Sequence, residues 1–175
     1  MSKSKIQNPK SKISRVRPKP ICGYDALMAV LKFNNQGLVP TVIQDVKTKQ
    51  VLTLCYLNEA ALHKSLDTGT VHLFRRSQQR LMQKGETSGH IQLIKRVTVD
   101  CDGKSLLFEV RQRVAACHAG YFTCYFRQLS PAGWLVKKGR KVFDPNSVYR
   151  ATAGVLADDS SRLNRVHYSR RRRIL

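Results

Sequence analysis

The sequence has few acidic residues and no long apolar run. Asp and Glu together number 11 against 32 Lys and Arg, so the formal net charge is +21 over 175 residues. No stretch approaches the roughly 18 consecutive apolar residues of a transmembrane helix, so the pattern gives no sign of a membrane protein. The N-terminal segment also lacks the apolar centre of a signal peptide, and we therefore expect a cytoplasmic protein in a reducing compartment.

Acidic residues are absent altogether from the first part of the chain. Residues 1–24 contain no Asp or Glu, whereas seven Lys and Arg lie between residues 3 and 19. Three prolines and several serines oppose a packed core there, so we predict a disordered basic extension over 1–26. A second basic tail is predicted over 151–175, which includes four arginines at 170–173. Such tails bind nucleic acid or anionic surfaces by releasing counterions.

The middle of the chain, 27–150, is predicted to form one folded domain. Short apolar runs between turn residues predict an α+β fold of mostly antiparallel strands with one or two short helices. Asn58 is predicted to cap a helix over 59–67, which Gly69 ends. The predicted strands cover 38–46, 51–57, 71–76, 91–99, 106–114 and 121–126, with one more after Gly133-Trp134.

Three of the five cysteines lie close together in sequence, at positions 101, 117 and 124. In a reducing compartment such thiols bind metal or act in catalysis more often than they form disulfides. A catalytic zinc site keeps three protein ligands and leaves one position for water, which fits Cys101, Cys117 and Cys124. His118 would then serve as a neighbouring acid or base. Three buried, inert thiols explain the pattern equally well, because these spacings match no zinc-finger signature.

Two acids flank the first of these cysteines. Asp100 and Asp102 alternate with Cys101 at the end of a predicted strand, so they would point to the opposite face. Asp102-Gly103 ahead of an apolar run is a strong hairpin signal. Taken alone, the two acids indicate a strand end and a turn.

A basic and polar stretch precedes the cysteines. Arg75, Arg76 and Arg80 lead into the loop 84–89, Lys-Gly-Glu-Thr-Ser-Gly. Glycines, hydroxyls and backbone N–H groups in such a loop can hold a phosphate group. A charge cluster is more often a solvated face, so the loop alone is weak evidence.

A series of short motifs runs through residues 27–150. In chain order they are Val39-Pro40, Gln44-Asp45, Tyr56-Leu57-Asn58-Glu59-Ala60 with Leu62, Val71-His72, Arg76-Ser77, Lys84-Gly85-Glu86-Thr87-Ser88-Gly89, Asp100-Cys101-Asp102-Gly103, and Ala116-Cys117-His118-Ala119-Gly120 with Cys124. In order and spacing they closely resemble the signatures of the phosphoribosyl-AMP cyclohydrolase family of histidine biosynthesis.

The resemblance implies a hydrolase that opens the adenine ring of phosphoribosyl-AMP at the N1–C6 bond, using zinc and magnesium. It implies an intertwined homodimer whose metal sites are shared between subunits. The family's zinc ligands correspond to Cys101, Cys117 and Cys124, and the histidine after its second cysteine corresponds to His118. For a substrate with two phosphates, the residues assigned to substrate binding are Arg76, Ser77, Lys84, Glu86, Thr87 and Ser88. Glu86 is also a candidate acid–base group or ion ligand.

The chain departs from the family at one metal position. The family's magnesium acids correspond to Asp100, Asp102 and a third position, which is Lys104 here. Magnesium prefers oxygen ligands, whereas a charged lysine has no lone pair to donate and repels a cation. Magnesium could bind weakly through the two acids and waters, or the Lys104 ammonium could replace the ion and neutralise a substrate phosphate. Activity could also be lost.

Two other classes of function stay open beside the enzyme. The first is a catalytically impaired homologue that binds nucleic acid through its basic tails, which the net charge of +21 favours. The second is a small structural zinc protein, which would need four ligands where the sequence offers only three suitable cysteines.

Overall fold

The computed structural model describes residues 18–115 and 117–149. Within them the chain forms an α+β fold of mostly antiparallel strands, as the sequence predicts. The elements are α1 (Tyr24–Met28), β1 (Val39–Asp45), β2 (Val51–Leu57), α2 (Glu59–Thr68), β3 (His72–Arg75), a 3-10 turn (Arg76–Gln78), β4 (Arg80–Gln83), β5 (Gln92–Val99), β6 (Leu106–Gln112), β7 (Arg127–Leu129), β8 (Leu135–Lys137) and α3 (Pro145–Tyr149). No helix in this described part is long and apolar enough to cross a membrane.

A four-stranded sheet with the order β2-β1-β6-β5 forms the centre of the fold. β1 and β2 are antiparallel, as are β5 and β6, whereas the two middle strands β1 and β6 run parallel. Alternate residues of β1 are buried, which is the pattern of a strand with one face on the core. β3 with β4, and β7 with β8, form two separate two-stranded sheets.

Helix α2 packs on the sheet through an apolar stripe and begins at the predicted cap. The Asn58 side chain accepts a hydrogen bond from the Ala61 backbone N–H at 2.9 Å, which pairs one of the free donors at the helix start. Gly69 follows the helix with φ of 64°, a left-handed conformation that glycine adopts without steric cost. The buried side chains of the helix are Ala61, Leu62, Ser65 and Leu66.

Replacing Asn58 by alanine is expected to lower the free energy of unfolding by about 1 kcal/mol, because the Ala61 N–H loses its partner. Urea unfolding followed by circular dichroism measures the loss. Asn58→Asp is the matched control, since aspartate keeps an oxygen at the cap. Equal stability of the two variants would mean that the cap contributes nothing.

Two strand predictions are wrong, one at its C-terminal end and one over its whole length. The strand predicted to reach Cys101 ends at Val99, so Cys101 lies in the turn that follows. No continuous strand covers 121–126, where only Tyr121 forms an isolated bridge. That segment attaches to the edge strand β2 at single points instead: the Cys124 backbone N–H donates to the Leu52 carbonyl at 2.8 Å.

The chain is predicted from its sequence to consist of a basic extension over 1–26, a folded domain over 27–150 and a basic tail over 151–175. The structure describes only part of the two terminal segments' predicted range. The predicted basic segments 1–17 and 151–175 lie outside the described residues. Packing already begins before residue 27, because Ile21 and Tyr24 lie against the core and the Ile21 N–H donates to the Leu66 carbonyl. The last described residues, up to 149, belong to α3.

Candidate active site around Cys117 and Cys124

Cys117 and Cys124 line one small pocket, close enough for each thiol to shift the ionisation of the other. The loop between them is held at both ends, because the Gly120 N–H donates to the Cys117 carbonyl at 3.0 Å and Cys124 is anchored on β2. Cys117 is almost fully buried and Cys124 is partly buried. Two thiols that are separated in sequence therefore converge beside the edge of the central sheet.

The two thiols have opposite tendencies to ionise. The hydrogen bond from Cys117 lowers the pKa of Cys124 to about 6; burial opposes the shift, and the charges of Lys84 and His118 and a hydrogen bond from Thr53 reinforce it. The same contact, with burial, raises the pKa of Cys117 far above the usual thiol value. Of the two thiols, Cys124 is therefore the one that ionises more readily. A thiolate is the form that binds metal and attacks as a nucleophile.

Lys84 and His118 lie next to this pair. Lys84 lines the small pocket that holds both sulfur atoms, and its position is fixed because its backbone N–H donates to the Val71 carbonyl at 2.8 Å. His118 follows Cys117 directly and is exposed to solvent. Lys84 is assigned by the sequence to a phosphate-binding loop. In the structure this residue also lines the pocket of the two thiols.

Thr53 lines the same pocket and is not among the residues predicted from the sequence. Its hydroxyl hydrogen-bonds Cys124, and it lies on β2, opposite the cysteine loop. No motif marks it, because its role depends on where the loop crosses the strand. The pocket also contains Gln92 and Gln112, which sequence reasoning likewise missed.

The first part of the predicted substrate-binding set lies on the surface beside β3. The Arg76 guanidinium lies over the Tyr56 ring, 3.9 Å from its centroid, a cation–π contact that orients the arginine. Ser77 follows in the 3-10 turn and is exposed. Both side chains are accessible to a ligand.

The loop that follows contains Glu86, Thr87 and Ser88. Glu86 forms an ion pair with Arg80, and that hydrogen bond lowers the pKa of its carboxyl group. A carboxylate held in this way stays charged near neutral pH, which disfavours it as a proton donor. Thr87 is exposed, and the Ser88 hydroxyl accepts a hydrogen bond from the His90 N–H at 3.3 Å.

Cys101 does not join the other two cysteines within one chain. It is exposed in the turn after β5, where its thiol donates to Asp102 Oδ1 at 3.9 Å. Among residues 18–115 and 117–149, no three His, Cys, Asp or Glu side chains form a group that could hold a metal ion. Cys117 and Cys124 fit a zinc ion as two converging soft ligands, one already prone to ionise, and a third ligand must come from outside this arrangement.

The acidic turn does not fit a magnesium ion. Asp100 Oδ1 accepts the backbone N–H groups of Ser105 at 3.0 Å and Lys104 at 2.7 Å, and these bonds lower the pKa of its carboxyl group. The Lys104 ammonium lies 3.5 Å from Asp102 Oδ2. Both carboxylates therefore already have donors, and a cationic side chain is present where the ion would need an oxygen.

The turn is held against the N-terminal segment. Gly103 has φ of 70°, and a side chain there would come within 2.1 Å of the Val30 carbonyl oxygen. Its own carbonyl accepts the Lys32 N–H at 2.6 Å. Only glycine satisfies both the conformation and the close approach.

Known proteins resemble this chain over the segment that holds the site. The family model of phosphoribosyl-AMP cyclohydrolase matches residues 53–126. A phosphoribosyl-AMP cyclohydrolase of Methanoregula boonei is 46% identical over 125 residues, 71% of this chain and 98% of that protein. One from Salinibacter ruber is 42% identical over the same shares.

A longer relative shows the same likeness. The histidine biosynthesis bifunctional protein of Thermoanaerobacter pseudethanolicus is 47% identical over 125 residues, 71% of this chain. The match spans only 57% of that protein. The family match covers Cys101, Cys117 and Cys124, and two single-function relatives are covered almost completely. The chain belongs to the phosphoribosyl-AMP cyclohydrolase family.

Proposed function

We propose that the protein is a phosphoribosyl-AMP cyclohydrolase of histidine biosynthesis, which adds water across the N1–C6 bond of the adenine ring. The contact between Cys117 and Cys124 beside Lys84 and His118 carries the proposal, because it places metal ligands next to a group that can move a proton. The names of the relatives support the same activity.

We propose that Cys117 and Cys124 hold the zinc ion together with Cys101 of the partner subunit in a homodimer. The separation of Cys101 from the other two thiols within one chain supports this arrangement. An exposed apolar hairpin also supports a partner chain: Leu129 and Leu135, which pair across β7 and β8, are 66% and 68% exposed, and Trp134 between these strands is 71% exposed. Contiguous apolar patches of this kind mark surfaces that another protein covers.

His118 is proposed as the acid–base group. Bound zinc would lower the pKa of a water molecule and supply hydroxide near pH 7. Three thiolate ligands donate much negative charge and weaken that effect, so the chain must assist the proton transfer. His118, exposed and next to Cys117, can take a proton from the water and deliver one to the departing N1 nitrogen.

We infer that the acidic turn binds no magnesium ion and that the Lys104 ammonium takes the place of the cation. The contact of Lys104 with Asp102 and the two backbone donors on Asp100 support this inference. A lysine ammonium is a compact charge that can neutralise a phosphate oxygen directly. Turnover should then need no added magnesium.

Lys104→Asp is expected to create a binding site for a hard divalent cation. Exchanging a positive for a negative charge next to Asp100 and Asp102 should tighten Mn²⁺ binding by about 10-fold or more. Electron paramagnetic resonance of free Mn²⁺ measures binding to the zinc-loaded protein. Lys138→Asp, at an exposed position away from the turn, controls for net charge. Equal Mn²⁺ affinity in wild type and Lys104→Asp would show that position 104 does not face an ion.

The proposed activity is tested by complementation of a bacterium that lacks phosphoribosyl-AMP cyclohydrolase. Expression of the chain should restore growth without histidine, and Cys124→Ser should not. Absence of growth with stable, zinc-containing protein would contradict the proposal. Steeply salt-dependent binding to nucleic acid by that protein would then support the nucleic-acid-binding alternative.

A further inference from the structure

A second, larger pocket of about 630 Å³ opens on the other side of the cysteine loop. Its polar wall is strongly basic and is supplied by β6, by the turn after β1 and by the segment before α3. The charged and amide side chains in this wall are Lys47, Gln50, Arg111, Gln112, Arg113 and Arg140. We call this cavity the basic pocket. None of its lining residues belongs to the predicted substrate-binding set.

The basic pocket is lined by four cationic residues and one acidic residue, so its net charge is positive. Its only acid is Asp45, which is buried; Oδ2 accepts the Lys47 N–H, the Thr48 N–H and the Thr48 hydroxyl within the turn. Arg111 and Arg113 form no ion pair with any described carboxylate. Their guanidinium groups are therefore available to an anion from solution.

The basic pocket adjoins the pocket of the thiol pair. Gln112 and Phe122 line both pockets, and Gln112 Nε2 donates to the Phe122 carbonyl at 2.9 Å. Thr123 lines the basic pocket and directly precedes Cys124, and its hydroxyl donates to the Val51 carbonyl at 2.7 Å. The two pockets thus share part of their walls, and the basic pocket adjoins the loop that carries Cys124.

The geometry points to a binding site for a phosphate monoester in the basic pocket, with Arg111 and Arg113 as the main donors. The assignment rests on the proposed function, in which the substrate carries two phosphate groups. In that function the adenine ring reacts beside Cys117 and Cys124, and the adjoining basic pocket receives one of the phosphates. Arginine suits this role because its planar group donates two parallel hydrogen bonds to phosphate oxygens.

The kinetic test compares Arg113→Gln with the wild type in the zinc-loaded enzyme. Loss of a charge-assisted hydrogen bond to substrate should raise KM about 10-fold or more and leave kcat within about twofold, because the contact is remote from the reacting carbon. Arg127→Gln, on β7 and outside the pocket, is the matched control and should change neither constant. An unchanged KM in both Arg113→Gln and Arg111→Gln would overturn the assignment.

A binding test separates this assignment from the proposed function. Ribose 5-phosphate, a small phosphate monoester, is titrated into each protein and followed by ³¹P nuclear magnetic resonance. Binding that weakens about 10-fold in Arg113→Gln supports the site even if the wild type shows no turnover, which would overturn only the proposed function. If Arg113→Gln weakens binding of a single-stranded oligonucleotide but not of ribose 5-phosphate, the pocket is a nucleic-acid surface and the assignment is wrong.

Discussion

Cys117→Ala is expected to remove bound zinc and turnover together. The variant removes one of the two converging thiols, so one zinc ligand is lost. It also removes the hydrogen bond that lowers the pKa of Cys124, so the other thiol ionises less readily. Loss of partners that merely orient metal ligands already costs 10- to 100-fold, so loss of a ligand should reduce turnover by more than about 100-fold. Zinc per chain by elemental analysis and turnover of phosphoribosyl-AMP are the two readouts.

Cys22→Ala is the matched control for this prediction. Cys22 is a free, exposed cysteine far along the chain from the site, so its loss should leave zinc content and turnover unchanged. Circular dichroism of Cys117→Ala checks that the variant folds, and Cys124→Ser gives a second substitution of the pair. Full zinc content in folded Cys117→Ala would refute the ligand assignment.

His118→Ala is expected to keep zinc and lose rate. The side chain is exposed, so its removal costs little stability, while loss of a positioned acid–base group typically slows a reaction about 10²- to 10⁴-fold. The loss should appear in kcat, and the pH–rate profile should lose the limb that the imidazole contributes. Steady-state kinetics between pH 5.5 and 8.5, a range of about one to two units around the ordinary histidine pKa, measure both.

His63→Ala provides the comparison for the histidine. His63 is exposed on α2, and its ring meets the edge of Tyr24, away from the thiols. Its replacement should leave kcat and the pH profile unaltered. Zinc loss in His118→Ala would instead identify His118 as a ligand.

Most of the fold follows from local sequence signals. The run 51–57 forms β2 over the full predicted length, because it is a short apolar run that buries Leu52, Cys55 and Leu57 in the core. Asn58 and Gly69 delimit α2 as predicted, since capping and a left-handed terminus are properties of single residues. β5 and β6 pair across the acidic turn, with Val99 opposite Leu106.

The segment 121–126 shows where local signals fail. Its apolar and aromatic residues have strand propensity, but hydrogen bonds from Thr123 and Cys124 to β2 fix it as a loop across the edge strand. Such contacts depend on tertiary placement, which outweighs propensity in strands more than in helices. The parallel pairing of β1 with β6 has the same origin and no sequence signal.

The candidate site was predictable in composition but not in arrangement. The family resemblance predicts Cys117, Cys124 and His118 as site residues, and the structure places Cys117 and Cys124 in the lining of one pocket. Lys84 arrives from a distant loop, and its proximity to the thiols could not be inferred from spacing. The roles of these residues, of Cys101, which lies apart from the pair within one chain, and of the substrate-binding residues stay predictions.

A turnover assay on purified protein tests the central claim most directly. Zinc-loaded chain, prepared with one zinc per subunit and without magnesium, is mixed with phosphoribosyl-AMP, and ring opening is followed by ultraviolet absorbance. The account predicts turnover that added magnesium does not increase and that Cys117→Ala abolishes. A folded protein that binds zinc and leaves phosphoribosyl-AMP intact, with or without magnesium, would contradict it.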